Sequence, residues 1–183
     1  EYLELHIRLV PGGEFTGFVF NGLKEKTILR FQGPLGSFFL REDSQRPIIM
    51  LGGGTGFAPL KAMLEHMFYT GINRPVHLYW GARSRQDLYL NELPESWVEK
   101  YSHFSYTPVL SSPSDDDHWN GRTGWVHEAV LADYTNLNNF EVYMSGPPPM
   151  IQAAKLSFLE RGLAENNLYF DSFDFAPDNL MRG

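Results

Sequence analysis

The chain has 183 residues, 43% hydrophobic and 20% charged, enough apolar content for one large domain or two small ones. With 15 basic and 22 acidic residues its net charge is −7, which argues against a surface that neutralises nucleic-acid phosphates. Cysteine is absent, which excludes disulfides, thiolate catalysis, Cys-ligated zinc and any Cys-held iron–sulfur cluster within this chain.

No run of about 18 apolar residues occurs, so no membrane-spanning helix is expected. The opening Glu1-Tyr2-Leu3-Glu4-Leu5-His6 lacks the basic and apolar regions of a signal peptide. It also lacks Met and runs straight into a strand pattern, so the chain is expected to be cut from a longer one. The cytoplasm is the expected compartment.

In chain order, residues 3–10 alternate apolar with polar, the pattern of a half-buried strand, and Pro11-Gly12-Gly13 ends it. Residues 15–20 read as a short helix closed by Asn21-Gly22. Two more strands, residues 27–31 and 37–40, flank Gly33-Pro34-Leu35-Gly36. A seam near residues 41–46 then separates this all-β piece from a different rhythm. Ile48-Ile49-Met50-Leu51 is a continuous apolar run, as in a strand buried on both faces. Leu60, Met63, Leu64, Met67 and Phe68 follow at helical spacing, with Gly71 placed as a C-cap. Further strands are expected at 76–80, 104–110, 140–144 and 168–173, and further helices near 125–132 and 148–161. Alternating strands and helices predict a parallel sheet covered on both faces, with its ligand at the carboxyl ends of the strands.

The strongest local signal is Gly52-Gly53-Gly54-Thr55-Gly56-Phe57-Ala58-Pro59, directly between the first apolar strand and the first helix. Glycines there admit a pyrophosphate to the backbone, and the helix start supplies free N–H donors. No Gly-Lys-Ser/Thr follows, so a kinase-type phosphate loop is not expected. Met144-Ser145-Gly146-Pro147-Pro148-Pro149-Met150 also joins a strand to a helix. Taken alone, it fits a proline-stiffened loop as well as a second ligand turn. Ser145 lacks the Gly-x-Ser-x-Gly elbow of a hydrolase nucleophile. The histidines lack metal-binding spacing, and Asp115-Asp116-Asp117-His118 reads as a solvated loop, so no metal site is expected.

Together these motifs, with Tyr79-Trp80-Gly81-Ala82-Arg83 and Gly121-Arg122-Thr123-Gly124 between them, resemble the ferredoxin–NADP reductase superfamily across nearly the whole chain. The likeness is greatest to the flavoprotein reductases of bacterial oxygenases and of the CDP-deoxysugar (ascarylose) pathway. It implies an α/β fold: a parallel five-stranded nicotinamide-nucleotide-binding sheet (46–183) preceded by the C-terminal part of an antiparallel flavin-binding β-barrel (1–45). The implied flavin contacts are His6, Ile7, Arg8 and Val10 on a strand, and Gly12, Gly13 and Thr16 around the flavin pyrophosphate. Gly53, Gly54, Thr55 and Gly56 would hold the NAD(P)H pyrophosphate, and Gly81, Ala82, Arg83 and Ser111 would line the adenosine side. Ser145, Gly146, Pro147 and Met150 would frame the nicotinamide, and Phe173 would cover the flavin ring. Thr55, Ser145 and Phe173 thus border the reacting rings.

The sequence departs from the family in two places. Many relatives carry Cys where Ser145 stands, and the upstream Arg-x-Tyr-Ser/Thr flavin motif is absent, so this chain alone is expected to hold flavin weakly. The implied activity is a flavin-dependent NAD(P)H oxidoreductase that passes a hydride to FAD and electrons on to an iron–sulfur protein or domain, or to another acceptor. The alternatives are a reductase that releases free reduced flavin, or a non-catalytic nucleotide-binding fragment. NADH is expected over NADPH: Ser111-Ser112-Pro113 replaces a Ser-Arg pair of NADPH-using relatives, and Asp115-Asp116-Asp117 adds negative charge nearby. Arg83 and Arg85 are the opposing features.

Overall fold

The computed structural model describes residues 3–33 and 35–173. Glu1, Tyr2 and Pro34, quoted above, lie outside them. The chain divides into two compact units between Phe39 and Leu40.

In the first unit, α1 (Glu14–Asn21) is the only regular element among the described residues. Gly13 caps its start in an extended conformation, and Glu14 places a negative charge on the positive end of the helix. The strands expected at 3–10, 27–31 and 37–40 are not formed, and the reading is corrected. Alternation marks a segment that suits a strand, but a strand exists only where a neighbouring one takes up its N–H and C=O groups. Here no such row is present among the described residues. Leu3, Leu5, Leu9 and Val10 are accordingly exposed, Leu3 at 77%, and Ile7 is half-buried.

The second unit is built on six parallel strands: β1 (Ile48–Gly53), β2 (Val76–Ala82), β3 (Phe104–Leu110), β4 (Arg122–Thr123), β5 (Glu141–Gly146) and β6 (Leu168–Ser172). Their order in the sheet is β4-β3-β2-β1-β5-β6. The expected sheet had five strands. The sixth, β4, pairs only Arg122 with Val109 and Thr123 with Leu110, too short to leave any periodicity in the sequence. Every residue of β1 and of β5 is buried, as central parallel strands require.

The helices are α2 (Phe57–Thr70), α3 (Glu92–Lys100), α4 (Val126–Asp133) and α5 (Pro148–Glu160). Gly71 ends α2 in the left-handed region at φ 76°, where its N–H returns to Met67. Helix α3 escaped the sequence reading. Its stretch is rich in Glu, and Trp97 is its main buried anchor beside Pro94. Ile49, Leu51 and Tyr79 join Val126 and Val130 of α4 and Ile151, Ala154 and Phe158 of α5 in one core. A separate set of ring contacts joins α2 to β2, α3 and β3: Phe57 on Trp80, and Phe68 on Trp97 and Phe104.

The segment entering the sheet is held by Arg74, which is 4% exposed. Its guanidinium donates to the carbonyls of Arg41 at 2.7 Å and Arg46 at 2.8 Å, and to Glu141 at 2.7 Å. Desolvation pushes the Glu141 carboxyl up. Hydrogen bonds from Ser44, Arg74 and Tyr143 outweigh it and hold the pKa below its usual 4.5. Such a pair is well satisfied, and removing one member leaves an uncompensated charge at a cost of about 3–5 kcal/mol.

His77 on β2 lies between the hydroxyls of Tyr134, 3.0 Å from Nδ1, and Thr107, 2.8 Å from Nε2. Burial lowers its pKa from 6.5 to about 4, against a smaller upward pull from Asp133. The unfolded chain therefore takes up this proton first as pH falls. Stability that depends on neutral His77 is complete above pH 6.5 and is lost between 6.5 and about 4. Burial shifts His127 in the same direction. We expect the melting temperature to decline over this window, and His77→Gln to remove the larger part of the slope. An unchanged slope in the variant would assign the decline to other groups.

Candidate functional site

The strand order reverses between β1 and β5, and α2 and α5 leave their carboxyl ends for different partners in the sheet. A crevice at such a switch point is where open α/β sheets take their ligands. The glycine-rich segment sits there. β1 ends at Gly53, residues Gly54–Gly56 form a 3-10 turn, and α2 begins at Phe57.

This turn lies directly on the end of β5. A Cβ on Gly56 would stand 2.0 Å from the Ser145 carbonyl oxygen, which is backbone and cannot yield. A Cβ on Gly146 would meet Gly53 Cα at 3.1 Å, and Gly146 has φ +149°. On Gly53 it would meet Met150 Sδ at 2.7 Å and the Pro147 ring at 2.9 Å. The structure therefore brings Gly53, Gly54, Thr55 and Gly56 together with Ser145, Gly146, Pro147 and Met150. Phe173 joins them at the backbone, its N–H donating to the Gly146 carbonyl at 3.0 Å.

Within this cluster Ser145 is fully buried, and its Oγ has no hydrogen-bond partner among the described residues. A buried hydroxyl left unpaired is costly, so a group that completes it is favoured. The other such atom, His103 Nε2, belongs to the opposite, amino end of the sheet.

Gly81 is the register partner of Gly53, which links a second cluster to the first. A Cβ on Gly81 would reach Val126 Cβ at 2.8 Å, so the start of α4 packs onto bare backbone. Ser111 donates its N–H to the Ala82 carbonyl at 2.9 Å, and Ser112 to that of Arg83 at 3.0 Å. Arg83 is exposed and makes no ion pair among the described residues. Arg85 is engaged: its N–H donates to Asp117 Oδ1 at 3.1 Å and its guanidinium to the Asp117 carbonyl at 3.3 Å. The Ser114 N–H, with that of Arg85, holds the exposed Asp117 carboxyl below the usual carboxylate range.

The first unit carries its own closed turn. Val10 N–H donates to Thr16 Oγ1 at 3.1 Å, and the Thr16 hydroxyl donates back to the Val10 carbonyl at 3.3 Å. Gly13 N–H returns to the same carbonyl at 2.9 Å, and Gly12 has φ +76°. Thr16 thus already spends its hydroxyl on closing the turn. His6 lies 2.6 Å from Glu4 Oε1 and is half-buried with Ile7, whereas Arg8 is exposed.

The sequence reading missed Trp80 as a member of the site. Its indole N–H donates to the Gly54 carbonyl at 2.9 Å, and its ring stacks on Phe57 at 4.2 Å. The available signal was a tryptophan inside a strand buried on both faces, because a buried indole N–H requires an acceptor.

Residues 50–156 match the family model described as oxidoreductase NAD-binding domain. Among curated proteins, the chain is 44% identical over 178 residues to Protein RfbI of Salmonella typhimurium, covering 97% of this chain and 52% of that protein. It is 44% identical over 171 residues to the CDP-6-deoxy-L-threo-D-glycero-4-hexulose-3-dehydrase reductase of Yersinia pestis, covering 93% and 51%. Among solved structures, the Amycolatopsis cytochrome P450 reductase GcoB superposes with a TM-score of 0.84 at 32% identity, over 92% of this chain and 51% of that one. The chain spans about half the length of the curated relatives it matches.

The crossing at the switch point makes a sharp comparison between two glycines. Gly54 has φ +54° but open space around a would-be Cβ, so Gly54→Ala bears only backbone strain, about 1 kcal/mol. Gly56→Ala must push the turn after β1 off the end of β5. We expect Gly56→Ala to lower the denaturation midpoint several times as much as Gly54→Ala, or to prevent folding. Equal effects in chemical denaturation would contradict the close approach.

Proposed function

Since the chain belongs to the oxidoreductase NAD-binding domain family, we propose that it is the nicotinamide-nucleotide half of a flavoprotein reductase, with the start of the chain contributing to the flavin site. The observation that carries this reading is the crossing of two glycine turns at the switch point, with the Ser145 hydroxyl buried beside it and unpaired among the described residues. A nucleotide fits these residues. Glycine backbones leave room for a pyrophosphate, the start of α2 offers N–H donors, and Ser145 has a hydrogen bond to give.

In this assignment Gly53, Gly54, Thr55 and Gly56 hold the pyrophosphate. Ser145, Gly146, Pro147 and Met150 orient the nicotinamide. Gly81, Ala82, Arg83 and Ser111 line the adenosine, and Phe173 covers the flavin ring. His6, Ile7, Arg8, Val10, Gly12, Gly13 and Thr16 belong to the flavin side. The bound pair supplies hydride transfer from nicotinamide to FAD and release of electrons to an acceptor, an iron–sulfur protein or domain in our reading. The protein's part is to bind, to align the two rings and to exclude water, and no side chain is required as acid or base. Anaerobic mixing of the intact flavin-loaded protein with NADH tests this directly. Bleaching of the flavin absorbance is expected, and its absence at saturating nucleotide would reject the reading.

Ser145 separates stability from turnover. Ser145→Ala removes an unpaired buried hydroxyl, so the melting temperature of the nucleotide-free protein should hold or rise. The rate of flavin reduction should fall about tenfold, the loss of one hydrogen bond worth ~1.4 kcal/mol in the transition state. A variant as fast as the parent would remove Ser145 from the site.

NADH is the proposed donor. Arg85 is tied to Asp117, and a 2′-phosphate placed near this acidic turn meets like charge. We expect a higher kcat/KM for NADH than for NADPH, and Asp117→Ala to improve NADPH use by removing a negative charge beside Arg85, whose guanidinium keeps its bond to the backbone carbonyl of residue 117. A parent that favours NADPH would assign the phosphate to Arg83.

A further inference from the structure

We propose that Trp80 is a positioning residue for the nucleotide: its indole N–H locks the Gly54–Thr55 peptide so that the Thr55 N–H is presented to an acceptor oxygen of the bound ligand. The inference rests on the nucleotide site proposed above and deepens it.

Trp80 lies on β2, opposite Gly52 in the register, and is fully buried. The Gly54 carbonyl accepts two hydrogen bonds, from Trp80 Nε1 at 2.9 Å and from the Phe57 N–H that opens α2. A trans peptide is planar, with its C=O and N–H pointing in opposite directions. Pinning the Gly54 oxygen toward Trp80 therefore turns the Thr55 N–H away from the core. The constraint is needed because Gly54 has φ +54°, in the region where glycine moves freely, and nothing lies within 4 Å of its would-be Cβ. Without a second donor the peptide plane is held only by the first turn of the helix.

The ring itself is held from two sides. Phe57 stacks on it at 4.2 Å and 18°, and Tyr89 meets it edge-on at 5.2 Å and 87°. A residue serving only as core would need the ring and not the N–H, because Phe fills most of the same space. The polar atom is thus the part of Trp80 that acts on the glycine turn.

The test uses the intact flavin-loaded protein with two variants that keep an aromatic ring and lose the donor. One is Trp80→Phe; the other places β-(3-benzothienyl)alanine at position 80, with sulfur replacing the N–H in a ring of the same shape. We expect the Kd for NAD⁺ and the KM for NADH to rise about tenfold in both, and the limiting rate of flavin reduction to change much less. A purely structural role predicts a lower melting temperature with unchanged nucleotide affinity. Parent-like Kd and KM in the benzothienyl protein overturn the proposal, whatever the stability of Trp80→Phe. Failure of the parent protein itself to bind NAD⁺ instead removes the nucleotide site on which the proposal stands.

Discussion

Two backbones meet at the switch point of the sheet with no side chain between them, and the rest of the site is arranged around that contact. Gly56 rests on the Ser145 carbonyl, and Gly146 faces Gly53. At Gly56 only glycine fits, because a Cβ would overlap the Ser145 main chain, and at Gly146 a φ of +149° and the tight approach to Gly53 favour glycine. The contact brings the turn after β1 and the turn after β5 to one spot. Ser145 beside it is fully buried, and its hydroxyl has no partner among the described residues. The same crowding requires the Gly54–Thr55 peptide to be steered, which is where Trp80 enters.

Each end of the sheet holds one buried side-chain atom without a partner among the described residues, Ser145 Oγ at the carboxyl ends and His103 Nε2 at the amino ends. At the amino ends, Arg74 has carbonyl and carboxylate partners, and both ring nitrogens of His77 face hydroxyls. At the carboxyl ends the second unit has Gly54 and Gly146 at positive φ.

Much of the second unit was legible because its signals are local. A continuous apolar run identifies a buried strand, glycines next to it identify a turn, and Leu60, Met63, Leu64 and Met67 lie on one helix face. β3 was read to its ends. α3 was missed because its buried Trp97 stands among exposed Glu residues, although a parallel β2–β3 pair demands a crossover. The apolar alternation of 3–10 was real but insufficient, since a strand is a relation between segments. Of the site, the glycines and the Ser-Gly-Pro-Pro stretch could be named from sequence together with the family likeness. Trp80's bond to Gly54 could not, because 26 positions separate donor from acceptor.

The sequence by itself determined the strand–helix alternation, the glycine turn at the head of the first helix and the absence of thiol chemistry. Each depends on residue type and spacing within a few turns of chain. The tertiary structure alone decided which turns meet, that Ser145 Oγ is buried without a partner among the described residues, that Arg85 is claimed by Asp117, and that β4 exists. Those outcomes depend on strand order and on which backbone is brought within contact distance of which. A chain read residue by residue carries no record of that, because packing two buried strands is what creates the contact.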